Sequence, residues 1–231
     1  MGVLRFPNAV SDIKKFVHTF RTIYDALGKS NNFGHDDMVR VLINQSLVSS
    51  SGAVGQEALR RSTRDDRTRD PLYNQIKMYS ELYRMLGWLR PGTDRLHFNF
   101  TELSKYIGDP NSDIDSLVSE CILCIVFPNP NVITRSGNVT RPFPFLLKIM
   151  REIGGRIFRD EMIISALSEE NDLEDQALQR QVRLIKKIRG NLEDLENQLR
   201  SVSGGLQINT LRNYTRFPFG FIRDQGWAEC E

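Results

Sequence analysis

Between Asp70 and Gly108 the residue pattern changes period twice, and few folds accept that order of elements. Asp70-Pro71 supplies a capping carboxylate followed by proline at the first helical position, where the missing N–H is not needed. The helix that follows turns Tyr73, Ile76, Tyr79, Leu82, Tyr83 and Leu86 to one side and meets Gly87, which tolerates a left-handed helix end. Next come Trp88-Leu89-Arg90, a Pro91-Gly92-Thr93-Asp94 turn, and Leu96, Phe98 and Phe100 alternating with Arg95, His97 and Asn99, which predict a two-stranded ribbon. Thr101 is placed to cap a last short helix over residues 102–107, ended by Gly108.

Upstream, Ile13, Phe16, Val17, Phe20, Ile23, Tyr24 and Leu27 recur at helical spacing before Gly28. Asp36 and Asp37 open a second helix through Met38, Val41 and Leu42, and residues 49–52 break the chain before a short segment at about 54–61. Helices, a ribbon and a closing helix, in that order and size, predict a winged helix-turn-helix unit over residues 1–108.

Residues 109–141 read as a linker with a connecting helix, since 109–115 are linker-like and Pro128, Pro130, Gly137 and Pro142 mark an irregular crossing. Beyond it, Phe145, Leu146, Ile149, Met150 and Ile153 form a helix face ending at Gly154-Gly155, and a new helix begins near Asp160. Ile185, Ile188, Leu192, Leu195, Leu199 and Val202 then alternate three and four apart, with Val182 and Leu178 extending the seam backwards. Such a seam predicts one long helix, at about 172–202, lying along another helix within the fold or in a second copy of the chain, despite Gly190 inside it.

After Gly204-Gly205, the Gln225-Gly226-Trp227 ending echoes Leu86-Gly87-Trp88, yet no ribbon follows. The expected architecture is therefore mainly α, with two winged-helix-like units carrying small β-ribbons. The second unit, 142–231, is expected to contain the inserted long helix and either to lack its wing or to be truncated at its C-terminus.

The chain's 31 basic and 29 acidic side chains give a formal charge of +2, so any contact with a polyanion must come from local clustering. Three cysteines make no disulfide framework and point to a reducing compartment. Cys121 and Cys124 have the spacing of a zinc half-site, but their apolar surroundings predict buried, unligated thiols. No apolar run reaches the roughly 20 residues of a membrane span and no signal-peptide plan opens the chain, so the expected address is cytoplasmic.

Charge clusters most sharply at Arg60, Arg61, Arg64, Arg67 and Arg69, interleaved with Ser62, Thr63 and Thr68. Guanidinium and hydroxyl groups suit phosphate contact and bidentate reading of guanine. The alternative is a solvated loop in which Asp65, Asp66 and Asp70 pair these arginines. Position favours DNA, because the run precedes the candidate recognition helix, whose first outward residues are Asn74, Gln75 and Lys77. Asn209, Thr210, Arg212, Asn213, Tyr214, Thr215 and Arg216 form a second polar constellation able to bond bases and phosphates, although some of them could simply brace the turn around Pro218.

Catalytic signals are weaker. His18, His35 and His97 lie far apart in sequence, and Gly52-Ala53-Val54-Gly55-Gln56 lacks the lysine and hydroxyl of a phosphate-binding loop. The acids Asp109, Asp113 and Asp115, and Glu169, Glu170, Asp172, Glu174 and Asp175, fall in linker-like or helical sequence, where solvated faces are expected. No catalytic or metal-binding residue is assigned.

Ala58-Leu59-Arg60-Arg61-Ser62-Thr63-Arg64, Tyr79-Ser80-Glu81-Leu82-Tyr83-Arg84-Met85-Leu86-Gly87-Trp88, Asn213-Tyr214-Thr215-Arg216-Phe217-Pro218 and the 143–155 helix together resemble the recognition regions of type II restriction endonucleases of the AlwI and BpuJI kind. The resemblance implies an N-terminal portion of winged-helix subdomains that reads double-stranded DNA. It also implies a separate nuclease domain of the PD-(D/E)XK type, beyond residue 231 or on another chain, that cuts with magnesium. The competing expectation is a transcriptional regulator dimerised through the heptad seam. A third is a protein-interaction scaffold on the same fold.

Overall fold

The computed structural model describes residues 3–7, 12–30, 32–50, 52–61, 70–94, 96–132, 139–169, 171–174 and 176–228, with Ser50 described by its backbone only. At 59% helix and 7% strand the chain is mainly α with a small antiparallel sheet. It folds as two units, Ala9–Ser119 and Glu120–Glu231, the latter joined by Met1–Asn8.

In the N-terminal unit, Asp12 accepts a hydrogen bond from the Lys15 N–H at 3.0 Å and starts α1, Ile13–Leu27, which buries Ile13, Phe16, Val17, Phe20 and Ile23. A short strand β1, Phe33–Gly34, leads into α2, His35–Asn44, where the Asp37 carboxylate accepts from the Gly34 N–H at 2.8 Å. A small hairpin of β2, Ser49–Ser50, and β3, Ala53–Val54, precedes α3, Gly55–Arg61. Asp70 caps α4, Pro71–Met85, accepting from the N–H groups of Leu72 at 2.8 Å and Tyr73 at 3.1 Å.

The ribbon is β4, Leu89–Pro91, against β5, His97–Phe100, with Leu89 opposite Phe100 and Arg90 opposite Asn99. Strand β1 adds to its other edge, Phe33 opposite Phe98, giving an antiparallel sheet of order β1-β5-β4. Sequence pattern missed β1, because two residues carry no periodicity. Leu96, expected among the inward residues of the ribbon, is 66% exposed in the turn, whereas Phe98 is buried. Helix α5, Glu102–Gly108, closes the unit.

The core of this unit is aromatic. Phe16 lies 4.6 Å from Tyr83 and 5.3 Å from Trp88 between ring centroids, and Phe20 lies 4.9 Å from each of Tyr83 and Trp88. The buried Tyr83 hydroxyl donates to the Phe16 carbonyl at 3.0 Å, and burial raises its pKa well above that of a free tyrosine.

The boundary between units falls within α6, Ile114–Leu123. Cys121 is buried, as expected, but Cys124 at the end of that helix is exposed, contrary to the expectation of two buried thiols. The other helices of the C-terminal unit are α7, Pro142–Glu152; α8, Arg159–Ile164; α9, Ala177–Ile188; α10, Leu192–Val202; α11, Ile208–Tyr214; and α12, Arg216–Asp224. Residues 3–7, expected in the first unit, belong to this one. The Leu4 N–H donates to the Leu167 carbonyl at 2.7 Å, and the Phe6 ring sits 5.4 Å from those of Phe127 and Phe217 and 5.6 Å from that of Phe143.

The single long helix expected at about 172–202 is two helices. Gly190 adopts φ 84°, outside the helical region, and the Asn191 side chain accepts from the Asp194 N–H at 3.2 Å to start α10 afresh. Ile188, Leu199 and Val202 of the seam bury with Ile163, Ile164 and Leu211, Leu195 packs against that cluster, and Leu192 is left 72% exposed.

A second ribbon was also expected. Among the described residues of this unit no strand forms, and one antiparallel bridge joins Phe127 to Thr140. The echo of Gly87-Trp88 by Gly226-Trp227 is a shared helix ending. Both glycines have positive φ, and each tryptophan N–H reaches the carbonyl five residues back, Tyr83 at 2.8 Å and Ile222 at 2.9 Å.

Candidate nucleic-acid interface

Of the arginine-rich run, Ser62, Thr63, Arg64, Arg67 and Arg69 lie outside the described residues. Arg60 and Arg61 end α3 with exposed side chains, both reaching toward Glu57, at 3.7 Å and 3.0 Å respectively. Exposed pairs of this kind are worth at most about 1 kcal/mol, so a phosphate could take either guanidinium over.

Helix α4, expected to present base-reading side chains, is deeply seated. Leu72, Ile76, Tyr79, Ser80, Leu82, Tyr83 and Met85 are buried, Pro71 alone is exposed, and Asn74, Gln75 and Lys77 are half-buried. Gln75 hydrogen-bonds the Tyr79 side chain, and its Oε1 is buried with no partner among the described residues. These three residues offer a narrower surface than a free helix face would.

Lys77 also helps set the state of His35. The Ser80 hydroxyl donates to the Lys77 carbonyl at 2.9 Å, so its oxygen accepts from His35 Nε2 at 2.9 Å. Burial, then repulsion from Arg84 and Lys77, with a smaller push from His97 against the pull of Asp36, lowers the His35 pKa from 6.5 to about 4. The unfolded chain binds this proton near pH 6.5 and the folded chain only near pH 4, so the stabilising effect is complete above pH 6.5 and is lost as pH falls through that window. With partial solvent screening, stability is expected to fall by about 2 kcal/mol from this group between pH 7 and pH 4. Urea unfolding of His35→Gln across that range should show a flatter pH dependence; an unchanged slope would remove His35 as the cause.

The ribbon adds groups that sequence reasoning did not select. Arg90 is exposed on β4 and faces Asn99 in register, so the two side chains share a face of the sheet. Asn32, at φ 65°, braces the ribbon: its N–H donates to Asn99 Oδ1 at 2.8 Å and its Oδ1 accepts from the Thr93 N–H at 2.9 Å. Asp94 accepts from the Leu96 N–H at 2.7 Å and contacts His97 Nδ1 at 2.8 Å, and the His97 hydrogen bond lowers its pKa. The alternation of Leu89 with Arg90 was the available signal for this exposed arginine.

In the C-terminal unit the expected constellation divides. Asn209 and Arg216 are exposed, and Thr210 and Asn213 are half-exposed. Thr215 has α-helical dihedrals and joins α11 to α12 almost without a break, so Asn209, Asn213 and Arg216 fall at i, i+4 and i+7 on one face. Thr215 itself is fully buried, its hydroxyl donating to the Arg212 carbonyl at 2.8 Å, which corrects its assignment as a DNA contact. Tyr214 packs against the Ile163 and Leu211 cluster. The Arg212 guanidinium is engaged by Asp160 through Nε at 2.9 Å and Nη2 at 2.6 Å, which raises its pKa. That ion pair helps line an open groove of about 720 Å³, shared with Phe158, Arg189, Leu192 and Leu195.

Of the histidines, His35 contacts the Ser80 hydroxyl at 2.9 Å and His97 the Asp94 carboxylate at 2.8 Å, two pairs that sequence spacing did not reveal. Among the described residues no group of His, Cys, Asp and Glu could hold a metal ion, and no helix is long and apolar enough to cross a membrane. Protein-family models, curated proteins and solved structures were all searched, and none matches this chain.

Proposed function

We propose that this chain recognises a sequence in double-stranded DNA, as the target-reading part of a type II restriction endonuclease of the AlwI and BpuJI kind. Cutting with magnesium is then the task of a nuclease domain elsewhere. The observation that carries the reading is the order of elements in the N-terminal unit. Helix α1, strand β1 and helix α2, then helix α4 and the β4–β5 ribbon with β1 paired to β5, follow the order expected of a winged helix-turn-helix, with the β2–β3 hairpin and α3 inserted between α2 and α4. Two surfaces support it further. One is the exposed end of α3 with the half-buried Asn74 and Lys77, and the other is the Asn209, Asn213 and Arg216 stripe, whose amides suit adenine and whose guanidinium suits guanine or phosphate.

The alternative of a dimeric regulator loses its main sequence support, since Ile188, Leu199 and Val202 of the heptad seam are buried within the C-terminal unit. Titration of labelled duplexes tests the surfaces. Asn213→Ala is expected to weaken a cognate duplex by about 1–3 kcal/mol and to relax preference at one base pair. Arg216→Ala, if it removes a phosphate contact, should weaken all sequences alike and lower the salt slope by about 1. Unchanged affinity in both variants would remove this stripe from the DNA contacts.

A further inference from the structure

The outer face of α9 carries cations that neither proposed DNA surface uses. Arg183, Lys186 and Lys187 are exposed, and Gln179 continues the same face at helical spacing. The opposite face is buried through Ala177, Gln181, Val182, Ile185 and Ile188. No carboxylate occurs anywhere in α9, and Arg180, its remaining cation, is held by Glu169 and Glu174, each at 3.1 Å.

Several exposed arginines on other helices have an acid within reach on their own helix. Arg40 has Asp37, Arg60 and Arg61 have Glu57, and Arg200 has Glu196. Among the described residues no such ion pair forms at Arg183, Lys186 or Lys187. The helix dipole favours cations in the last turn by about 0.3–1 kcal/mol, which accounts for Lys186 and Lys187 but not for Arg183. Like charges three and four residues apart repel on an isolated helix, and a bound polyanion would relieve that repulsion.

We propose that this face of α9 binds the sugar-phosphate backbone of duplex DNA. The inference rests on the DNA-recognition reading and adds to it a sequence-independent contact. Guanidinium and ammonium groups match phosphate oxygens, and with Gln179 as the one amide on the stripe there is little to read base edges.

The test is anisotropy titration of a mixed-sequence duplex at several salt concentrations, comparing the chain with the triple variant Arg183→Gln, Lys186→Gln, Lys187→Gln. Three lost phosphate contacts should lower the slope of log affinity against log salt by about 2–3, with the preferred sequence unchanged. Arg183→Gln alone, one turn before the helix end, should lower it by about 1. Arg200→Gln on α10 should leave it as it was. Unfolding of the triple variant at the wild-type temperature secures the comparison, because these side chains are exposed. Wild-type slopes in both the triple and the Arg183 variants would overturn this surface and leave the DNA reading standing. Failure of the unmodified chain to bind any duplex would overturn both. A triple variant that loses binding to structured RNA or acidic vesicles while keeping duplex affinity would also overturn it.

Discussion

Replacing Trp88 with alanine is expected to destabilise the N-terminal unit by about 4 kcal/mol. The side chain is fully buried, with ring centroids of Phe20, Phe16 and Tyr83 at 4.9, 5.3 and 5.6 Å, so truncation leaves a cavity walled by rigid aromatic groups that cannot collapse into it. Its backbone is equally engaged. The Trp88 carbonyl accepts from the hydroxyl of Ser104 and, at 3.3 Å, from the Thr101 N–H, while the Thr101 hydroxyl donates to the Gly87 carbonyl at 2.7 Å, which fastens α5 to the start of the ribbon. Hydrogen exchange, which reports each unit separately, should show protection lost across α1, α4 and β5. Trp227 occupies the same helix-ending motif but is only half-buried, and its truncation is expected to have a much smaller effect. Equal effects at the two tryptophans would contradict this account of the core.

Arg189→Ala is expected to destabilise the C-terminal unit by about 3 kcal/mol. Its guanidinium contacts Glu161 through Nε at 2.8 Å and Nη2 at 3.0 Å, and donates to the carbonyls of Ile153 at 3.1 Å and Arg156 at 2.5 Å. The Glu161 side chain is 4% exposed, and without its partner the carboxylate would keep only the Phe158 N–H at 2.9 Å. An unpaired buried charge is far more costly than a missing surface pair, which sets the size of the effect. A double-mutant cycle with Glu161→Gln, read by urea unfolding, should give a coupling of more than about 1 kcal/mol. Strict additivity would mean that the carbonyl contacts, and not the ion pair, hold this region.

The helices with explicit punctuation were legible in the sequence. Asp70-Pro71, Gly87 and Thr101 mark real ends because each acts within a turn of itself, and local chemistry needs no knowledge of the rest of the fold. What the reading missed was nonlocal. Strand β1 exists because Phe33 meets Phe98, far along the chain, and residues 3–7 join the C-terminal unit through Leu167 and the Phe6 ring cluster. The long helix was misread for a different reason. A three-four alternation survives a turn that preserves phase, and Gly190, Asn191, Glu193 and Asp194 were stop and start signals outweighed by the leucines.

The candidate site was legible in chemistry but not in exposure. Asn209, Asn213 and Arg216 reach a surface, whereas Thr215 looks the same in sequence and is buried, because a hydroxyl satisfied by the carbonyl three residues back can sit in a core. Arg212 was visible as a cation, but its partner Asp160 lies 52 residues away. Arg183, Lys186 and Lys187 were hidden by the heptad pattern on the opposite side of their own helix.

Selection of a randomised duplex library on the purified chain, sequenced after retention at two salt concentrations, tests the central claim most directly. The account predicts a single short asymmetric motif whose identity is the same at both salts while total retention falls as salt rises. A two-fold repeated motif would contradict the restriction-enzyme reading in favour of a dimeric regulator, and retention of no duplex at either salt would contradict DNA recognition altogether.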